Sequence, residues 1–374
     1  MIRVLHIARY AEAPLERRVM EMAGRPECAF RLVRPRAGAD PERVDAVRDR
    51  SKLEAVQLTR VWRRDDPHRG LYQTLGFGIR RAAPDIIHAE EEPDSLAALQ
   101  VAIARRLVAP RARLILNTWQ NVNRHKRPAV NVVLSTTLAA SDAVICGNQG
   151  AVTVLREMGY RKSAPVIPAL TLDAGLYRRR QVARIAPEFT VGCVARLVPE
   201  KGVDVAIRAL AALGSPATLA IVGVGPSRSR LEELARTLGV GTSTRFLGPR
   251  DPDGVAEFLS AIDVLVVPSR SSPVWQEQFG RVIVEAMGCG TPVVGSASGA
   301  IPEVMAHAGL LFPEDDAAAL AEQLRDLRAS AARRNELAHL GRAWALSAHS
   351  PARRAAETIE FYHRLLGRPA SATP

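Results

Sequence analysis

No stretch of the chain is apolar for long enough to cross a bilayer. The start, MIRVLHIARY, lacks the charged and apolar pattern of a signal peptide and reads as a first strand. Cysteine is scarce: Cys28, Cys146, Cys193 and Cys289 lie far apart, with no CxxC and no metal-ligand spacing. That argues against a disulfide scaffold and a thiolate metal site, and for buried small hydrophobes in a reduced cytoplasm. Lysine is nearly absent, supplying four of 51 basic residues. No basic motif interleaved with aromatics is present, so no nucleic-acid partner is expected.

What is present is alternation. At 374 residues the chain exceeds one comfortable core, so two domains are expected. Short apolar strands alternate with helical stretches in both halves, the pattern of parallel, doubly wound α/β sheets. In the first half the strands are Ile2–Ile7, Phe30–Val33, Asp85–His88, Leu114–Leu116 and Ala143–Cys146. Helices are expected over Leu15–Ala23, Leu71–Ala82, Leu96–Leu107 and Ala129–Ala140. Residues 34–70, rich in Arg, Asp and Pro, read as a mobile loop with a short helix. The boundaries are a first Rossmann-like domain over 1–170, a connection with the tri-arginine Arg178-Arg179-Arg180 over 171–188, a second Rossmann-like domain over 189–349, and a last helix within 350–374 that packs back on the first domain before a frayed tail.

The second half carries the chemistry. Its strands should end in loops at one edge of the sheet, where ligands of such folds bind. Arg196 and Lys201 fall in the loop after the strand Thr190–Val194; alone, two such side chains are simply solvated. Gly223-Val224-Gly225-Pro226 ends the next strand and allows close backbone approach, though alone it is a tight turn. After Asp263–Val267 comes a loop with Glu277, and then a helix with Glu285 one to two turns in. Glu285 could accept both hydroxyls of a ribose, while the cations and helix-start amides suit phosphates.

This set resembles the donor-binding domain of family 4 glycosyltransferases with the GT-B fold. The resemblance runs over residues 190–310: Val194-Ala195-Arg196-Leu197 with Lys201-Gly202, Val222-Gly223 with Gly225-Pro226, Phe246-Leu247-Gly248, and E-x7-E from Glu277 to Glu285 with Phe279-Gly280 inside it. It implies two Rossmann-like parallel-sheet domains facing a central cleft. It further implies transfer of a hexose from a UDP- or GDP-sugar, with retention of anomeric configuration, to a glycan or lipid-linked acceptor. Arg196 and Lys201 would hold the diphosphate and Glu277 the donor sugar, these three being the catalytic set. Gly223, Gly225, Pro226, Arg250, Gln278, Phe279, Gly280 and Glu285 would complete the donor site. Neither metal nor organic cofactor is implied, because the cations are side chains.

The chain departs from the family at two places. Thr118-Trp119-Gln120-Asn121 stands where many members have a histidine, and Gln120 cannot titrate. The first βα loop, Ala8 to Pro14, lacks the Gly-Gly pair of many members. On the acceptor side Tyr10, Glu91, Trp119 and Gln120 are the candidates. Glu90, Glu91 and Glu92 form an acidic run whose bland reading is a solvent-facing cluster. His6 and His88 read as structural strand-end residues.

Charge is lopsided. Residues 1–180 hold 31 Lys and Arg against 19 Asp and Glu, whereas the remainder is balanced at 20 of each. An arginine- and alanine-rich compositional bias explains this as well as attraction to an anionic membrane or acceptor does. The expected location is the cytoplasm, with peripheral contact on the inner face of the membrane under the second reading. Two other functions stay open: a nucleotide-sugar epimerase on the same fold, and a catalytically silent partner protein.

Overall fold

The computed structural model describes residues 1–8, 13–35, 55–63, 66 and 68–369. The chain divides into two compact units, Met1–Thr171 with Pro351–Pro374, and Leu172–Ser350. Most of the stretch expected to be a connection, from Leu172 onward, therefore belongs to the second unit.

The first unit begins with β1 (Ile2–Ala8), α1 (Ala13–Ala23), β2 (Cys28–Pro35) and β3 (Ala55–Thr59). A small antiparallel pair follows, β4 (Val61–Trp62) with β5 (Leu71–Tyr72). Next come α2 (Leu75–Ala82), β6 (Ile86–Glu90), α3 (Leu96–Val108), β7 (Arg113–Thr118), α4 (Pro128–Ala140), β8 (Ala143–Cys146) and α5 (Gln149–Glu157). The six sheet strands lie in the order β3-β2-β1-β6-β7-β8, all parallel. Their runs are apolar because both faces are covered. One face packs against α2 to α5 through Ile79, Val101, Leu138 and Leu155, and the other against α1 and the last helix through Val19, Met22, Ile359 and Tyr362.

Most of 34–70, where a loop and a short helix are expected, lies outside the described residues; the described part holds the end of β2 and strands β3 and β4. Two expectations need correction here. The helix expected from Leu71 starts only at Leu75: Leu71 and Tyr72 pair with β4, and Tyr72 anchors to the Gln100 side chain from both its amide and its carbonyl, at 2.8 and 2.6 Å. The acidic run is also not a solvent-facing cluster, since Glu91 is buried and Glu90 nearly so.

The second unit repeats the plan with β9 (Phe189–Val194), α6 (Val203–Leu213), β10 (Ala217–Val222), α7 (Arg228–Thr237), β11 (Thr244–Phe246), α8 (Pro252–Ala261) and β12 (Val264–Val267). It continues through α9 (Arg281–Gly288), β13 (Val293–Ser296), α10 (Ile301–Met305), β14 (Leu310–Phe312), α11 (Ala317–Ala329) and α12 (Ala331–Ala348); α13 (Pro351–Leu365) returns to the first unit. The strand order is β11-β10-β9-β12-β13-β14. Relabelled by position within each sheet, both units read 3-2-1-4-5-6. That order reverses between β1 and β6 in one and between β9 and β12 in the other, and the crevice beyond the strands' carboxyl ends at such a reversal is where doubly wound folds bind ligands. All four cysteines are buried and unpaired.

Candidate donor site in the second unit

At the reversal between β9 and β12 lies a cavity of about 590 Å³. Its wall includes Arg196 and Lys201 after β9, Gly223 and Val224 after β10, Arg250 before α8, Ser269 and Glu277 after β12, and Glu285 on α9. Four of the six loops at this edge thus deliver the side chains that the sequence singled out.

The loops are held by glycine at two close approaches. Gly202 ends a short 3-10 turn, Pro199–Lys201, with φ +60°, and a Cβ there would stand 1.9 Å from the Pro268 carbonyl oxygen. Gly223 has φ +139°, and its Cβ would stand 1.9 Å from the Ala195 oxygen. Backbone bonds then tie the β9 and β10 loops together, Ala195 to Val222 at 3.0 Å and Leu197 to Val224 at 2.9 Å. The loop after β12 is fixed by Arg270, which grips Asp204 through two 2.9 Å contacts, and by Ser271, whose hydroxyl donates to Glu314 at 2.6 Å.

Within this frame the Lys201 ammonium donates to Glu277 Oε2 at 2.6 Å, and the Ser269 hydroxyl donates to the same oxygen at 3.0 Å. Lys201 also lies 4.7 Å from the centre of the Trp275 ring, a cation–π contact. Arg196, at the same edge, is exposed, and among the described residues its guanidinium makes no ion pair or side-chain hydrogen bond. Arg250 is likewise exposed. A paired lysine beside an uncommitted arginine leaves the cavity with positive charge at its rim.

Glu285 is buried and raised above the ordinary carboxyl range by that burial, against the pull of Arg281, whose Nε lies 3.1 Å from Oε1. Tyr177 also hydrogen-bonds this carboxylate, and burial together with Glu285 raises the phenol. Gly280 caps α9 at φ +74° with no side-chain cap bond, and Gly280, Arg281 and Val282 line the cavity, so the positive end of the helix faces it.

Other predicted residues sit differently. Phe279 is buried and packs its ring edge-on against His349 at 5.6 Å, outside the cavity wall; Gly225, Pro226 and Gln278 also lie outside it. The sequence reading missed Tyr177, Pro249 and Val255, which do line it. Tyr177 had been assigned to the connection between domains, and no local pattern marks its tie to a glutamate more than a hundred residues away. A second hollow of about 750 Å³ lies beside Arg179–Arg184 and the end of α8, at the opposite edge of the sheet. Two of its three arginines are paired, Arg180 with Asp253 at 2.9 Å and Arg184 with Asp263 at 2.7 Å.

In the first unit a buried side-chain network joins β1 and β6, the strands on either side of the corresponding reversal. His6 and His88 are neighbours across β1 and β6 rather than strand-end residues. His6 Nε2 donates to Glu90 at 3.2 Å while its Nδ1 accepts from Arg34; His88 Nε2 donates to Asn117 at 2.7 Å while its Nδ1 accepts from the Tyr362 hydroxyl at 2.6 Å. Burial holds both imidazoles below the ordinary histidine value, His88 down to about 3. Burial opposes ionisation of Glu90 also, but the adjoining Arg18 guanidinium outweighs it and keeps the carboxylate charged. His6, His88 and Glu90 have the spacing of a metal site. With every ring nitrogen committed and a guanidinium against the carboxylate, they form an ion-pair network that a cation would have to dismantle.

Of the acceptor-side candidates, Tyr10 lies outside the described residues. Glu91 is buried and accepts from the Tyr72 hydroxyl at 2.7 Å. The Trp119 amide is held by Glu92 at 2.8 Å, and the Gln120 amide nitrogen donates to Asp94 at 3.0 Å. Asp94 also takes Lys126 at 2.6 Å and His68 at 3.2 Å, and these bonds outweigh burial to lower its carboxyl. Glu92, half-buried and near Asp94, is raised to about 7 by loss of solvent around it, while its bonds from Thr118 and the Trp119 amide pull the other way.

Comparison with known proteins agrees with this geometry. Residues 178–344 match the family model described as "Glycosyl transferases group 1". A D-inositol 3-phosphate glycosyltransferase of Mycobacteroides abscessus is 36% identical over 176 residues, 42% of this chain and 38% of that protein. A 2-deoxystreptamine N-acetyl-D-glucosaminyltransferase of Streptomyces fradiae is 38% identical over 143 residues, 36% of this chain and 33% of that one. The chain thus spans well under half the length of these curated relatives. Among solved structures, HepE of Anabaena in complex with UDP superposes with a TM-score of 0.72 at 21% identity, over 97% of this chain and 100% of that one. By its two doubly wound units and this likeness the chain has the two-domain Rossmann-like GT-B fold, and its second unit carries the match to the glycosyl transferases group 1 model.

Proposed function

We propose that the protein transfers a hexose from a nucleoside diphosphate sugar to a hydroxyl of a glycan or lipid-linked acceptor, with retention at the anomeric carbon. The observation that carries this reading is the cavity at the β9/β12 reversal, where Arg196, Lys201, Glu277 and Glu285 meet. Arg196 and Lys201 would take the diphosphate oxygens. As the bond from the anomeric carbon to the β-phosphate oxygen breaks, negative charge grows on that oxygen, and fixed cations there stabilise the transition state more than the ground state. The acceptor oxygen bonds to the anomeric carbon on the face the phosphate leaves, and its proton passes to the departing phosphate. Glu277, oriented by Lys201 and Ser269, would hold donor-sugar hydroxyls, and Glu285 the ribose. The charge balance is met by side chains, so the reading requires no metal.

HepE has been solved with UDP and with UDP-glucose, which supports a uridine donor as the first to try. D-inositol 3-phosphate, named in the mycobacterial relative, joins the acceptor panel for the same reason. The test is calorimetric titration of UDP- and GDP-sugars into the wild type and Arg196→Ala. Loss of one charge-assisted contact should weaken binding roughly thirtyfold, with melting temperature unchanged because the residue is exposed. Equal affinity in the variant would remove the proposed donor site.

A further inference from the structure

The outward face of one helix layer in the first unit has an unusual composition. Helices α2, α3 and α4 lie side by side over one face of the sheet, contributing Ile79, Val101 and Leu138 to the same core. Each turns its opposite stripe to solvent. On α2 that stripe carries Phe77, 70% exposed, with Arg80 and Arg81; on α3 it carries Ile103 and Leu107, 51% and 76% exposed and one turn apart, with Arg106 between them. On α4 it carries Val132, 64% exposed. Only Thr137 and Leu138 of α4 are buried, although the helix is PAVNVVLSTTLAA, among the most apolar of the chain. Arg124 and Arg127 stand exposed just ahead of it. None of the three helices contains an aspartate or a glutamate.

Large apolar side chains left in water, ringed by arginine and free of acid, need a partner that is both anionic and apolar beneath its charge. We propose that this α2–α3–α4 face docks on an anionic lipid bilayer, arginines at the phosphates and Phe77, Ile103, Leu107 and Val132 in the acyl boundary. Charge complementarity selects this occupant. A second copy of the chain would set arginine against arginine, and a nucleic acid would leave the aliphatic groups unpaired. Among the described residues no helix is long and apolar enough to span a membrane, so the contact is peripheral. The inference does not depend on the proposed transfer reaction.

The experiment is sedimentation of the full chain with vesicles of pure phosphatidylcholine and with vesicles holding a third phosphatidylglycerol. Binding is expected to the second and not the first, and to be lost on raising the salt several-fold. Replacing two arginines, Arg80→Ser with Arg106→Ser, should weaken partitioning roughly thirtyfold. Phe77→Ser with Leu107→Ser should also weaken it, by roughly tenfold or more, with unchanged circular dichroism, since these side chains are largely exposed. Equal sedimentation with both lipids, failure to bind either, or wild-type binding by both double variants would overturn the proposal. So would retention on RNA or self-association that these substitutions abolish while vesicle binding persists.

Discussion

The two units share a strand order and put opposite things at its reversal. In the first, His6, His88, Glu90 and Arg18 form a buried network across β1 and β6, every ring nitrogen bonded and Arg18 wholly buried. In the second, the space between β9 and β12 stays open, and its nearest arginine is exposed. One topology therefore serves two ends: a charge network that locks a sheet together, and a charged cavity able to take a ligand. Position at the reversal makes a site available, and the side chains decide what becomes of it.

The sharpest way to break this comparison is to unlock the first unit's network. Arg18→Met strands the Glu90 carboxylate against His6 alone, and removing one partner of a buried pair should cost about 3–5 kcal/mol of unfolding free energy. Hydrogen exchange read by mass spectrometry should show the loss in peptides covering β1 and β6, with α9 unchanged. The double change Arg18→Met with Glu90→Leu should recover most of it. Faster exchange confined to the second unit would contradict the assignment.

Acid should separate the units next. His6 and His88 are held below their ordinary value in the fold, so the unfolded chain binds more protons than the native one as pH falls below about 6.5, for His88 down to about 3. Their stabilisation is present above that window and lost as pH falls through it. Glu92, raised to about 7, works the other way between pH 7 and the ordinary carboxyl range near 4.3. Below about pH 6 the two histidines oppose the one raised glutamate, and Glu90 and Asp94, both lowered, act with the histidines further down, so the first unit should lose stability on acidification. Glu285 in the second unit is raised and carries the opposite sign there. Urea midpoints at pH 7 and 5, followed by peptides from each unit, check the contrast; Glu92→Gln should steepen the first unit's fall.

The smallest effect sharpens the open end. Glu285→Gln keeps the shape but weakens acceptance of two hydroxyls, and should reduce affinity for UDP roughly tenfold while leaving inorganic pyrophosphate untouched. A matching loss for pyrophosphate would move Glu285 from the ribose to the fold.

How much of this could be read from the chain depends on how local each cause is. The second unit's elements are written in adjacent residues: α6 and α8 follow the apolar spacing of Val203–Leu213 and Pro252–Ala261, and Asp251 caps α8 just ahead of Pro252. The loop cations and both glutamates were visible because each follows its own strand. The Lys201–Glu277 bond was not, since 76 residues separate the partners and only strand order brings them together. The first unit was less legible for the same reason. Leu71 and Tyr72 continue a helical spacing, yet their strand partner and Gln100 override it. Helix α5 went unnoticed although Asn148 caps it through the Ala151 amide at 2.8 Å, and the acidic run looked solvated because Arg18, Tyr72 and Thr118 are distant in sequence.

Because the Ala195 oxygen occupies the place where a side chain at Gly223 would begin, that stretch of the cavity wall cannot be re-tailored by substitution. A library aimed at donor preference that randomises Gly223 would mostly return misfolded loops. Its neighbour Val224 is 51% exposed, and Arg250 is exposed as well; both offer the room to exchange one base or sugar for another without disturbing the frame.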